Sequence, residues 1–197
     1  MNPRNALLAS AIMVPMVLAV AAQPPEEGGS PTPAPPGVIP MTIKVTSPSF
    51  EPGAPIPKKF TEDGQDISPM IKWVEVPPAA KELALICDDP DAPTPEPWVH
   101  WVIYKIPITA TNLPEGVSKV DKPPEVSGAM QGKNTWPKTG YNGPAPPKGH
   151  GVHHYHFKVY ALDAPLKVSA GLTKKGLLDA MKGHVLAQGE LVGTYQR

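Results

Sequence analysis

Residues 82–106 read ELALICDDPDAPTPEPWVHWVIYKI. Two apolar runs, 82–87 and 99–106, are long enough for strands and too short and too irregular in period for helices. Between them Asp89-Pro90 and Asp91-Ala92-Pro93 form two acidic turns. Pro90 excludes the helical region for Asp89 and fixes the turn backbone, so the segment is a rigid mount for side chains rather than a loose connector. Asp89, Asp91 and His100 therefore sit at the ends of two neighbouring strands, which are expected at the centre of a sheet.

Outward from this pair, strand signals recur at short intervals. Residues 41–46 (MTIKVT) and 71–76 (IKWVEV) alternate apolar and polar side chains, with Ile71, Trp73 and Glu75 on one face and Lys72, Val74 and Val76 on the other. A short edge strand is expected at 57–60, a third strong strand at 153–163 (HHYHFKVYALD), and a closing strand at 191–195. Helical periodicity is confined to 174–182, with Thr173 as N-cap, Leu177, Leu178 and Met181 as the apolar side, and Gly183 as the stop. The long segment 128–149 is dense in glycine and proline, and a loop of that length is usually functional. These signals predict a mostly β fold with few helices.

Composition narrows the function classes. The 197-residue chain holds 29 prolines, far above the usual share of about 5%. Net charge is zero, and the arginines are Arg4 and Arg197, so no basic stripe for nucleic acid exists. The single cysteine, Cys87, forms no intramolecular disulfide or CxxC site, and at the end of an apolar strand it is expected to be a buried, inert thiol.

Residues 1–22 combine Arg4, an apolar segment and small residues before a cleavage point near Ala21 or Ala22, which is a signal-peptide pattern. A secreted or periplasmic location follows as the expectation, with membrane contact only if the segment is retained. Residues 23–40 (QPPEEGGSPTPAPPGVIP) have almost nothing to bury and are expected to be a disordered, proline-rich linker. The domain proper is then 41–197.

On the strand at 153–163, side chains two apart share a face. His153, Tyr155, Phe157 and Val159 run from polar to apolar, as in a strand that begins at a pocket and ends in the core, whereas His154, His156, Lys158 and Tyr160 form a solvent face. If the start of this strand meets the Asp89 turn, Asp89, Asp91, His100, His153 and Tyr155 converge with the glycine-rich backbone of 141–149. Imidazoles beside carboxylates are expected to have raised pKa values, and with loop amides they would hold a compact oxyanion. The plainer alternative is that the aspartates only form turn hydrogen bonds and that His100 is a satisfied core histidine. A zinc site on His150, His154 and His156, serving a metal-dependent hydrolase, is a third reading.

The motifs DPDAP at 89–93, WVHWV at 98–102, GYNGPAPPKGHG at 140–151 and HHYHFKVYALD at 153–163, with ISP at 67–69 and HVLAQGELVGTYQR at the C-terminus, resemble the phosphatidylethanolamine-binding proteins (PEBP), in their bacterial and archaeal Raf-kinase-inhibitor-like branch. The resemblance covers 41–197 and implies two antiparallel β-sheets, a few short helices and a small anion pocket. It implies pocket residues Asp89, Trp98, His100, Gly143, Ala145, Pro147, His153 and Tyr155, to which the reading of the residues adds Asp91; no catalytic turnover, no cofactor and no metal are expected. It also implies a phosphate or phosphorylated head group as ligand and a regulated or inhibited protein, such as a secreted protease, as partner. His153-His154-Tyr155 stands where the family has His-Arg-Tyr, so an outward-facing arginine is missing.

Overall fold

The computed structural model describes residues 43–197; the expected leader at 1–22 and linker at 23–40 lie outside the described residues. Strand β1 (Lys44–Thr46) is followed by β2 (Ile71–Val74), β3 (Glu82–Asp89), β4 (Trp98–Pro107), β5 (Asn112–Leu113), β6 (Met130–Gln131) and β7 (His153–Leu162). Helix α1 (Lys174–Met181) and strand β8 (Val185–Tyr195) complete the order. The strands form two antiparallel sheets, one of three strands in the order β1-β2-β5 and one of five in the order β6-β4-β3-β7-β8. The expected mostly β architecture of two antiparallel sheets is thus present.

β3 is central in the larger sheet, and all eight of its residues are buried. Its continuous apolar run follows from burial on both faces. Leu83, Leu85 and Cys87 belong to the main core with Ile71 and Trp73 of the smaller sheet. Ala84 and Ile86 belong to a second core with Val102, Tyr104, Tyr160, Leu162, Leu177 and Met181, roofed by α1. Burial beside Asp88 and Asp89 pushes the Cys87 thiol well above the ordinary range, as expected of an inert cysteine.

α1 begins where the sequence indicates, with the Thr173 hydroxyl accepting from the Gly176 N–H at 3.2 Å. Leu177 and Met181 are buried, but Leu178 is exposed and does not share their face. Four other local expectations change. Residues 58–60 form a 3-10 turn rather than an edge strand, because Phe60 and Thr61 donate to the carbonyls of Pro57 and Lys58, three residues back. The alternation of β2 ends at Val74, since Glu75 takes a left-handed φ of 62°. Tyr160 is buried under the α1 layer instead of facing solvent. The closing strand starts six residues earlier than expected, at Val185, because β7 offers it a full-length partner.

The early residues explain the glycines of that strand. The 43–56 segment crosses β8, bonding Ile43 N–H to the Gln188 carbonyl and Ile56 N–H to the Thr194 carbonyl. A Cβ at Gly189 would lie 1.9 Å from the Ile43 carbonyl oxygen, so only glycine permits this crossing.

Two β-bulges in β4 set the site. Between the paired positions Cys87↔Trp101 and Asp88↔Val99, β4 carries one residue more than β3, and that residue is His100. Val99 and Val102 pack toward the α1 core while His100 and Trp101, adjacent in sequence, are both turned to the main-core side. The second bulge, with Lys105 at φ 55°, restores the pairing of Ile106 with Leu83.

Candidate functional site

At the end of β3, the Asp89 side chain lies on the main-core face and meets His153, the first residue of β7. The His153 Nδ1–H donates to Asp89 Oδ2 at 2.7 Å, and both residues are nearly fully buried. Asp89 Oδ1 accepts from the Asp91 N–H at 2.9 Å, the turn hydrogen bond that the DPD spacing favours. Both carboxylate oxygens are therefore satisfied, and the pair is held rigidly.

His100 is the second imidazole. Its Nδ1–H donates to the Asn142 carbonyl at 2.7 Å, and the Asn142 N–H donates back to the His100 carbonyl at 3.0 Å. This fixes the tautomer, because a carbonyl only accepts. Burial pushes the His100 pKa down, outweighing the Asn142 hydrogen bond and the Asp89 charge. The expectation of raised imidazole pKa values fails for His100, which is a neutral group at pH 7.

A cavity of about 270 Å³ opens over these residues, lined by Asp89, Trp98, His100, Ala145, Pro147 and His153 among others. Those six are expected site residues brought together from four stretches of sequence. The other three are placed differently. Tyr155 lies behind His100, the two rings 5.1 Å apart and nearly perpendicular. Asp91 turns to the rim, where its Oδ2 accepts from the His154 ring at 2.6 Å and from the His154 N–H at 2.8 Å. Although burial raises the Asp91 pKa, these bonds overcome it and hold the carboxyl below its usual range. Gly143 lies beneath the pocket, its N–H donating to Asp66 Oδ1 at 2.6 Å. A Cβ there would stand 2.3 Å from the Phe60 carbonyl oxygen, so this glycine serves close packing rather than ligand contact.

Sequence reasoning missed Glu62, Thr94 and Trp136 in the lining. Trp136 stands edge-on to both Trp98 and His100, with ring centroids 5.2 Å away in each case. Asn134 holds its loop, its Oδ1 accepting from the N–H groups of Trp136 and Lys138. A tryptophan in a long glycine- and proline-rich segment was the available signal. Glu62 carried none, since it reaches the rim from a distant loop, where Arg197 pairs with it at 3.2 Å.

The three histidines of the metal reading diverge. His150 bonds His153, His154 bonds Asp91, and His156 bonds Glu190 at 2.8 Å. Among the described residues, no three His, Cys, Asp or Glu side chains are grouped to hold a metal ion.

The Trp98 indole Nε1, whose residue lines the cavity, and the Tyr155 hydroxyl oxygen, whose ring packs on His100, are buried with no partner among the described residues. Burial, with the nearby Asp89 charge, pushes the Tyr155 pKa far above the ordinary range, so its hydroxyl stays protonated and able to donate.

Comparison with known proteins agrees with this architecture. The sequence profile described as phosphatidylethanolamine-binding protein matches residues 46–196. A UPF0098 protein of Pyrococcus horikoshii is 48% identical over 160 residues, covering 80% of this chain and 78% of its own. Another from Methanothermobacter thermautotrophicus is 49% identical over 142 residues, covering 72% of this chain and 91% of its own. Among solved structures, a PEBP homologue of Chlamydia trachomatis is 41% identical with a TM-score of 0.70, over 79% of this chain and 98% of that one. The E. coli protein YbcL, described as a member of the mammalian PEBP family, is 31% identical with a TM-score of 0.74, over 79% and 99% of the two chains. The chain belongs to the phosphatidylethanolamine-binding protein family.

Proposed function

We propose that the cavity between β3, β4 and β7 binds a small oxyanion, either phosphate or a phosphorylated head group, and turns over no substrate. The observation that carries this reading is the orphaned donor in the cavity lining, the Trp98 indole N–H. A buried donor without an acceptor costs about 1–3 kcal/mol, and an oxyanion supplies acceptors in several directions at once. The cavity volume of about 270 Å³ is below the range typical of drug-sized ligands, which favours a compact group. The carboxylates nearby do not forbid an anion, because Asp89 is paired with His153 and Glu62 with Arg197. An amine attached to the phosphoryl group would find those same carboxylates as acceptors.

Absence of turnover is supported by the chemistry of the groups present. The lone thiol is buried with its pKa pushed up, so it supplies no thiolate nucleophile. The signal-peptide pattern at 1–22 supports a secreted or periplasmic compartment in this reading.

Titration of inorganic phosphate and of phosphoethanolamine into the wild type and His153→Ala, followed by calorimetry, tests the pocket. Wild type is expected to bind at least one of them, and His153→Ala to bind it at least about tenfold more weakly, the loss of a charge-assisted hydrogen bond. Equal binding by both proteins, or none by either, overturns the assignment.

A further inference from the structure

The buried histidine of the pocket has no free nitrogen. His153 gives its Nδ1–H to Asp89, and its Nε2 lies 2.8 Å from the Nδ1 of His150. The two rings are 5.0 Å apart between centroids and inclined at 60°. With Asp89 ionised, Nδ1 of His153 must carry a proton. A neutral His153 then accepts from the His150 Nδ1–H, and a cationic one donates its Nε2–H to the His150 lone pair. In either state, the Nε2 of His153 is occupied by His150.

His150 itself is exposed, on the loop that leads from Pro147 to the start of β7. It is flanked by Gly149 at φ 75° and Gly151 at φ 96°, and a Cβ at either glycine would meet nothing within 4 Å. The loop is tied at the Gly149 N–H, which donates to the Arg197 carbonyl at 3.2 Å, and by the His150 N–H to the Pro147 carbonyl at 3.1 Å. Among the described residues, the one side-chain hydrogen bond of His150 is that to His153. Its partner is nine-tenths and more buried; the cap is not.

We propose that His150 is a displaceable cap on the pocket: its imidazole holds the Nε2 of His153, and an incoming phosphoryl oxyanion takes its place. The inference rests on the oxyanion reading of the cavity. Because an oxyanion only accepts hydrogen bonds, the bound state carries protons on both nitrogens of His153. One faces Asp89, and the other faces the ligand. The second proton comes from solvent or from the oxyanion, and the His150 ring leaves toward solvent by rotation about its glycine flanks. The Asp89 carboxylate stabilises the resulting imidazolium, while Asp91, Glu62 and Arg197 are the other charged groups around the opening, and His100 stays neutral. Binding is thereby coupled to one broken imidazole contact, and the affinity is lower than the pocket would otherwise give.

Phosphate titrations of wild type, His150→Ala and His153→Ala decide the matter. They are combined with nitrogen NMR of the histidine rings in the wild type. His150→Ala removes a competitor at a solvent-exposed position, so phosphate is expected to bind roughly two- to tenfold more tightly than to wild type, the range of one hydrogen bond. The ring nitrogens of His150 are expected to shift to free-imidazole values as phosphate saturates. Weaker binding by His150→Ala makes His150 a ligand rather than a cap and overturns the proposal. Unchanged affinity, with His153→Ala still impaired, removes the cap while leaving the pocket standing. Absence of phosphate binding by wild type ends both.

Discussion

Asp88 and Asp89 are neighbours at the end of one strand, both buried, and they face opposite sides of the sheet. Asp88 points to the α1 side, where Lys158 pairs with it at 3.0 Å and Lys174, the first residue of α1, completes the clasp. Asp89 points to the cavity side and pairs with a histidine. The first carboxylate is neutralised by two permanent cations and also favours the positive end of the helix. The second is hydrogen-bonded to an imidazole, which can exchange protons, and lies on an open cavity. The same residue type, one position apart, is thus a strut on one face and part of a site on the other, and the choice is made by what the neighbouring strand and helix deliver.

Asp88→Ala should produce the largest effect on this comparison. Removing the buried member leaves Lys174 at a helix N-terminus without its counter-charge. Breaking a buried pair costs about 3–5 kcal/mol, but the lysine heads are partly exposed and can turn to solvent, so about 2 kcal/mol is expected. Urea unfolding measures it, and phosphate affinity of the folded variant should be unchanged. A folded Asp88→Ala protein that no longer binds phosphate would break the contrast between the faces.

Asp89→Asn is the mirror experiment. The amide keeps the shape and one acceptor, but the charge that stabilises a doubly protonated His153 is gone. Phosphate affinity should fall about tenfold, equivalent to about 1.4 kcal/mol, with a smaller change in the urea midpoint than Asp88→Ala causes. A variant that binds phosphate as well as wild type would show that Asp89, like Asp88, is only a strut.

How much of this was readable in advance depends on the range of the interaction. The apolar run of β3, the DPDAP turn, the start of β7 at His153 and the Thr173 cap are local, and each was visible in the spacing of residues. The placement of Leu178 and Tyr160 was not, because it depends on how the segment after β7 folds back over the sheet. The bulge at His100 was invisible for another reason. Strict alternation along WVHWV sets His100 and Trp101 on opposite faces, yet the extra residue turns both to the main-core side. The DPDAP, WVHW and HHY motifs marked the site by their chemistry, while Glu62 and Trp136 reach it through loops that no periodicity describes.

The smallest effect concerns that bulged histidine, and it sharpens the comparison by separating a neutral imidazole from the His153 pair. Burial holds the folded-state pKa of His100 below the unfolded value of about 6.5. Between those two values the unfolded chain binds more protons than the native one, so stability is full above pH about 6.5 and is lost as pH falls. If His100 stays unprotonated in the native state, the loss between pH 6.5 and 5.5 amounts to about 1 kcal/mol. His100→Asn retains a donor for the Asn142 carbonyl and removes the titration, whereas His150 and His153 are common to both proteins and cancel in the difference. Urea unfolding of the two proteins at pH 6.5 and 5.5 should therefore show a shallower acid loss in the variant by about that amount. Equal losses would mean that His100 gains its proton in the native state as readily as in the unfolded chain. The neutral wall of the pocket would then be charged in acid, and the whole site, rather than the Asp89–His153 side alone, would carry positive charge toward an anion.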